Sequence, residues 1–392
     1  MVRKKRTGIR ELLRVDMRDK YRWTFFSDWE YRDLSAQHRF VPADPGAVRM
    51  NFTHPGPHLH QAHRVIESTD GGETWETVPG WHPPCDRGTF ESGDVRMALS
   101  RASLEQWRSY DGGDHWKGNR AQHAEDLLYE GAGTPNCFSA IMIDQGLYAG
   151  RIVTVASYFL GQEGPDGELV ASSYSDDWGA TWHCSRLFGP PDPLPAGPEG
   201  FGEPAVVQLR SGWLWMVFRS LYGELWQCIS RDGGETWMRP SPTGFVSPIA
   251  NCYAMREPTT GATVLAWNAA QPGGSPDFKS THSLYRPRTN LVFSVSHDNT
   301  RTWTVPTVIE SEGGQYPTIH FAAGRMFIMY QSSPDLLADW HQMGLTLVAY
   351  DTEEVLALPA WTPETIQPWI DDGLVRHWRV TSCRPASRET IS

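Results

Sequence analysis

Two residues attract attention for chemistry because each is a polar group placed just ahead of an apolar run. They are Glu203 in Gly202-Glu203-Pro-Ala-Val-Val-Gln-Leu209 and Tyr316 in Gln315-Tyr316-Pro-Thr-Ile319. Glu91 near Arg87, Asn136 and Asn251 occupy comparable positions. A Glu or Tyr in such a place is costly to desolvate without a partner, so several together favour one shared polar site over separate structural hydrogen bonds. A different chemistry is offered by His54-Pro-Gly-Pro-His58-Leu-His60-Gln-Ala-His63, with four histidines inside ten residues. Imidazoles titrate at about pH 6.5, which makes His58 and His60 candidates for proton transfer at neutral pH, with Asp86 or Asp94 as the fallback acid. Exposed-loop histidines are the plain alternative. Their spacing is not HExxH and no nearby carboxylate completes a ligand set, so neither a metal nor a cofactor is expected.

The chain that must position these residues has 392 of them, with 35 Lys and Arg against 46 Asp and Glu, a formal charge of −11. That balance argues against a general nucleic-acid binder or a binder of anionic membranes, since both need a cationic surface. No stretch approaches the roughly 20 apolar residues that cross a bilayer. The amino terminus is basic but lacks the apolar core and cleavage site of a secretory signal. The chain as given therefore reads as cytoplasmic, or as secreted with its signal removed. Six cysteines, Cys85, Cys137, Cys184, Cys228, Cys252 and Cys383, show no CxxC spacing and read as buried free thiols. Eighteen Trp, 36 Gly and 29 Pro point to many short strands joined by tight turns.

A repeat organises those strands. Ser68, Asp70, Gly72, Thr74 and Trp75 recur as Ser109, Asp111, Gly113, His115 and Trp116, then as Ser175, Asp177, Gly179, Thr181 and Trp182. The pattern returns as Ser230, Asp232, Gly234, Thr236 and Trp237, and last as Ser296, Asp298, Thr300, Thr302 and Trp303. Its physics is that of a turn: Asp accepts backbone N–H groups, Gly supplies positive φ, and Trp folds back as an apolar plug between neighbouring units. These residues are structural and carry no catalytic role.

The five copies are those of the Asp-box, or BNR repeat, and the chain resembles the sialidase (neuraminidase) superfamily over roughly residues 38–350. The resemblance implies an all-β six-bladed β-propeller with Asp-box hairpins. Blades are expected at 38–80, 86–120, 136–188, 201–243, 247–310 and 315–355, with the last completed by a strand from a terminus. Residues 1–37 are expected as an N-terminal extension, with a short helical turn at Arg10–Arg14, and 356–392 as a C-terminal extension completing or covering the last blade. In a propeller the inner strand of each blade begins beside the axis, so the polar strand starts converge on one pocket.

The resemblance also implies roles. Tyr316 takes the place of the nucleophile and Glu203 that of the glutamate that activates it. A free phenol has a pKa of about 10 and needs a carboxylate to take its proton. A tyrosine also suits an anionic sugar, which a carboxylate nucleophile would repel. Three arginines hold the substrate carboxylate in that family. Arg288 resembles the third, Arg39 the first, and Arg219 is the candidate for the second, with surface ion pairing as the plain alternative for Arg219 and Arg288. Arg87, Glu91, Asn136 and Asn251 are expected to line the substrate pocket. The family's aspartate acid has no counterpart in the histidine loop, which is where His58 and His60 enter. The expected function is a sialidase-like exo-glycosidase, a hydrolase of carbohydrate metabolism, removing a terminal carboxylated sugar from an anionic oligosaccharide or glycoconjugate. One alternative is a polysaccharide lyase that cleaves a uronate linkage by His/Tyr β-elimination. The other is a non-catalytic glycan-binding propeller, in which Trp81, Trp178 and Trp340 stack sugars instead of packing between blades.

Overall fold

The computed structural model describes residues 9–16, 38–41, 43, 46–54, 62–78, 88–92, 95–99, 105–112, 114–120, 136–159, 168–189, 200–271, 288–332 and 344–376. Its strands form six four-stranded antiparallel sheets. After β1 (Glu11–Asp16), the first blade holds β2 (His38–Val41), β3 (Val48–His54), β4 (Ala62–Ser68) and β5 (Glu76–Thr77). The second holds β6 (Gly88–Ser92), β7 (Val95–Leu99), β8 (Glu105–Ser109) and β9 (Lys117–Arg120). The third holds β10 (Asn136–Met142), β11 (Ile152–Phe159), β12 (Glu168–Ser175) and β13 (His183–Cys184). The fourth holds β14 (Phe201–Gln208), β15 (Leu214–Ser220), β16 (Glu224–Ser230) and β17 (Ser241–Val246). The fifth holds β18 (Tyr253–Arg256), β19 (Thr263–Asn268), β20 (Leu291–Ser296) and β21 (Thr307–Glu310). The sixth holds β22 (Gly314–Ala322), β23 (Arg325–Ser332) and β24 (Gly344–Asp351).

Every residue of β14 and β15 is buried, as a strand sandwiched between two neighbouring blades requires. The first strands of successive blades touch around the ring, β6 with β10, β10 with β14, β14 with β18, β18 with β22 and β22 with β2. Register fixes which end faces which way. Phe201, at the start of β14, pairs with Ser220 at the end of β15, while Leu214 at the start of β15 pairs with Ser230 at the end of β16. Inner-strand starts therefore lie at one end of a blade, and the Asp-box that follows its third strand lies at the other.

The boxes form as their residue types dictate. Ser68 Oγ donates to Asp70 Oδ1 at 2.8 Å and accepts from the Gly72 N–H at 2.8 Å. Asp70 in turn accepts from the Thr74 N–H and hydroxyl. The same network surrounds Asp177, Asp232 and Asp298. The plugs lock each blade to the one before it. Trp182 Nε1 donates to Gln106 Oε1 at 3.4 Å, Trp237 Nε1 donates to Ser172 Oγ at 2.8 Å, and the Trp303 ring lies 5.7 Å from that of Trp215.

The sixth blade is completed by a strand from a terminus, as expected, but by residues expected as a helical turn. Residues 11–16 are not a helical turn: they form β1, which pairs antiparallel with β24 from Glu11↔Tyr350 to Asp16↔Thr346 and supplies the sixth blade's fourth strand. Arg14 then ties that strand inward, donating to Tyr330 Oη at 2.6 Å and to the Ile309 carbonyl of the fifth blade at 2.8 Å. Across the seam between last and first blades, the rings of His320 and Phe40 stack with centroids 4.9 Å apart. The C-terminal segment begins under the last blade with α1 (Thr352–Leu356), whose Val355 joins the core between blades five and six. It then moves away. The helix α2 (Pro363–Asp371), opened by a Thr362 capping box with Pro363 in its first turn, places Ile366, Trp361 and Val375 against Phe245, Trp267 and Trp303 of blades four and five. Among the described residues no helix is long and apolar enough to cross a membrane.

Candidate active site

Inner strands β14 and β22 open with the same backbone device. Glu203 and Tyr316 both hold positive φ, 47° and 51°. Left-handed backbone costs a residue with a side chain about 1–2 kcal/mol. In β14 the pairing passes from Gly202↔Arg219 to Ala205↔Val217, three residues against two, and in β22 from Gln315↔Gln331 to Thr318↔Met329. Each strand therefore carries a one-residue bulge, and in each the residue after the turned one is a proline, Pro204 or Pro317, which has no N–H to leave unpaired. A bulge re-aims a side chain, and strain of this kind persists only where the surroundings over-determine it. Here it turns a carboxylate and a phenol towards each other across the start of the fifth blade.

The two meet directly: Tyr316 Oη donates to Glu203 Oε1 at 3.1 Å. The other carboxylate oxygen of Glu203 faces Arg219 Nη1 at 2.9 Å, and Arg219 Nη2 reaches Glu168 Oε2 at 3.3 Å. All three charged residues are buried, Glu168 at 1% exposure, Glu203 at 4% and Arg219 at 7%. On the far side, Arg288 is 8% exposed and donates to Gln315 Oε1 and to the Ile249 carbonyl, the latter at 3.0 Å. Its guanidinium carbon stands 5.3 Å from the centre of the Tyr316 ring, and Gln315 is itself fixed by donating to Gln331 Oε1 at 2.9 Å. Burial pushes the Tyr316 phenol up, and the Glu203 charge adds to the rise, while Arg288 and Arg219 oppose it. The phenol thus rests as a neutral donor on a carboxylate, with two guanidinium groups beside it to stabilise a phenolate when one forms.

Of the residues singled out in the sequence, the structure brings together Tyr316, Glu203, Arg219 and Arg288. Asn251 is buried just ahead of β18, two residues beyond the carbonyl that holds Arg288. Arg39, Glu91 and Asn136 lie in the inner strands β2, β6 and β10, opposite Asn51, Arg96 and Ser157. His58, His60 and Arg87 lie outside the described residues, as do Asp86, Asp94, Trp81 and Trp340. Trp178 packs against the cluster of Phe90, Met97, Leu99, Ile152 and Trp182. Sequence reasoning passed over Glu168 and Gln315. Glu168 also precedes an apolar run, Leu169-Val-Ala171, but it follows Asp166-Gly167 and opens a third strand of a blade, a place where sequence alone gives no reason to expect burial.

Six four-stranded blades around one axis, with Asp-box turns at one end, form a six-bladed β-propeller. The profile of the BNR repeat-like domain matches residues 88–328, and the chain belongs to that family. No curated protein matches the sequence. Among solved structures, a protein of unknown function from Dyadobacter fermentans is 17% identical with a TM-score of 0.60, covering 88% of this chain and 99% of that one. A Hadza microbial sialidase is 15% identical with a TM-score of 0.56, covering 82% and 67%. The intramolecular trans-sialidase from Ruminococcus gnavus, solved with oseltamivir carboxylate, is 13% identical with a TM-score of 0.55, covering 84% and 98%. At these identities the likeness is one of fold.

Proposed function

We propose that the protein is a glycosidase of the sialidase type, removing a terminal carboxylated sugar from a glycan with Tyr316 as nucleophile and Glu203 as its base. The observation that carries this reading is the 3.1 Å hydrogen bond from the Tyr316 phenol to a buried Glu203, made by two independent bulges. In the first step Tyr316 Oη bonds to the anomeric carbon as Glu203 takes the phenol proton and the glycosidic C–O bond breaks. The leaving oxygen takes a proton from a general acid, for which His58 and His60 are the candidates and Asp86 or Asp94 the fallback. Water then attacks the anomeric carbon and passes a proton to the deprotonated general acid, the bond to Tyr316 breaks, and Glu203 returns the phenol proton to the phenolate. Arg288 stabilises the phenolate from beside the ring and, with Arg39, draws in the substrate carboxylate, while Arg219, the other arginine the resemblance suggests, is paired with Glu203. Arg87, Glu91, Asn136 and Asn251 are the further residues that would contact the substrate. A tyrosine that starts neutral does not repel such a substrate, a preference that a second carboxylate would reverse.

The test offers the protein and its Tyr316→Phe variant a fluorogenic sialoside and, separately, a uronate-containing oligosaccharide. Fluorophore release that disappears in the variant supports the glycosidase. Appearance of the ultraviolet chromophore of an unsaturated uronate would move the protein to the lyases and remove the covalent tyrosine step. Binding to glycans with turnover of none would leave a recognition propeller.

A further inference from the structure

The proposed chemistry uses Glu203, Tyr316 and Arg288, and leaves one deeply buried charge without a task. Glu168, at the start of β12 in the third blade, is 1% exposed. A buried carboxylate is costly unless paired, and Glu168 pairs with Arg219, the same guanidinium that faces Glu203. The chain is built to admit it. A Cβ on Gly202 would sit 2.0 Å from Glu168 Oε2, and one on Gly200 would sit 2.2 Å from the Glu168 carbonyl oxygen. Both glycines belong to the segment that leads into the Glu203 bulge, so the backbone presenting Glu203 runs directly against Glu168.

We infer that Glu168 is a positioning residue for the reaction, holding Arg219 between two carboxylates so that Glu203 keeps both its place and its capacity to accept the Tyr316 proton. The physical reason is a division of charge. An arginine paired with Glu203 alone would lend that carboxylate its whole positive charge and leave it a weaker base. Shared with Glu168, the guanidinium fixes Glu203 geometrically while its charge is largely compensated from the other side. Among the described residues, the charged and titratable groups about Glu203 are then Arg219 with Glu168 behind it, from β15 and β12, the Tyr316 phenol from β22, Arg288 ahead of β20 and the Cys252 thiol ahead of β18. The inference rests on the glycosidase reading for its catalytic meaning, but the bridge itself is testable without activity.

Two measurements on the full chain separate these. In thermal unfolding of Glu168→Gln, Glu203→Gln and the double variant, each single change removes one of these two carboxylates from Arg219 and the double change removes both. The double variant is expected to lose more than the sum of the singles, by about 3 °C or more. Additive losses would overturn the bridge whatever the enzyme does. In sialoside turnover, Glu168→Gln is expected to lower kcat about tenfold with KM nearly unchanged. Its acid limb should move to lower pH by about one unit, because removing a negative charge favours the deprotonated site. Glu168→Ala is expected to lose more, and an unmoved pH profile in the Gln variant would reduce Glu168 to a structural ion pair. Coupled unfolding without turnover of any sialoside would keep the bridge and overturn its catalytic role along with the glycosidase reading.

Discussion

At the Asp-box end of the ring, left-handed backbone is carried mostly by glycine, as at Gly72, Gly179 and Gly234 with φ 95°, 74° and 94°, with Trp178, Asn299 and Thr300 sharing it, in turns whose Ser, Asp and Thr hydrogen-bond one another. At the strand-start end it is carried by Glu203 and Tyr316, at φ 47° and 51°, on the bulges of β14 and β22. The first end repeats because every blade needs the same turn and the same Trp plug, and glycine makes it at little steric cost. The second end does not repeat, because its conformation serves particular side chains. What marks the site is that the left-handed residues of β14 and β22 carry a carboxylate and a phenol that meet across the fifth blade.

The largest effect that tests this division is on turnover. Tyr316→Phe keeps the ring, the bulge and the proline and removes only the hydroxyl, so sialoside hydrolysis is expected to fall about 10³-fold or more while the melting temperature stays nearly the same. A variant that loses activity only in proportion to its folded fraction would place Tyr316 with the scaffold. The opposite pattern is expected of Trp303→Ala. Trp303 is 1% exposed among Trp215, Phe245 and Trp361, and truncation should cost about 3–5 kcal/mol in unfolding by denaturant. The protein that remains folded should keep its kcat, since Trp303 touches neither Glu203 nor Tyr316.

How much was legible beforehand follows the same division. The boxes could be read because each copy confirms the others, and from them the blades followed: the expected 201–243 and 315–355 are observed as strands over 201–246 and 314–351. Glu203 and Tyr316 stood out because a polar residue ahead of an apolar strand has a cost that invites explanation. Residues 11–16 misled because Glu-Leu-Leu-Arg favours helix locally, whereas pairing with β24 some 330 residues away decides the outcome. Glu168 was hidden for a related reason. Following Asp166-Gly167 it reads as the edge of a surface turn, and only the packing of the third blade against the fourth buries it beside Arg219.

The next prediction weighs hydrogen bonding at the box end. Burial raises the Asp232 carboxyl, but hydrogen bonds from Thr236 and Ser230 outweigh it and hold the group below its ordinary value. A carboxyl depressed on folding stabilises the protein above its unfolded pKa, and that contribution fades as pH falls through the lower, folded value. Asp232→Asn is therefore expected to cost about 1 kcal/mol at pH 7, and its melting temperature should approach that of the parent as the pH drops below about 4. A gap that stays constant down to pH 3 would mean that the charge of Asp232 contributes nothing to the turn. Turnover should be unchanged at neutral pH, because the box lies at the end of the blade opposite Glu203.

The smallest effect asks whether positive φ in a residue with a side chain is retained where no site needs it. Ala323 turns the chain between β22 and β23 at φ 50°, is exposed, and is followed by Gly324 at φ 71°. Two successive left-handed residues in a tight hairpin match the turn for which Asn-Gly is the preferred pair, and alanine meets the full Cβ penalty that asparagine partly escapes. Ala323→Asn is expected to raise stability by about 0.5 kcal/mol, read as a higher denaturant midpoint with an unchanged slope, and to leave turnover as it was. The turn and the Tyr316 bulge belong to the same strand and differ by only 1° in φ. If relieving one strengthens the protein while Tyr316→Phe at the other removes its activity, the strain at Tyr316 is retained for the side chain it aims. If Ala323→Asn destabilises instead, left-handed residues are a packing feature of this strand, and the contrast between the two ends of the ring would rest on the Tyr316–Glu203 contact alone.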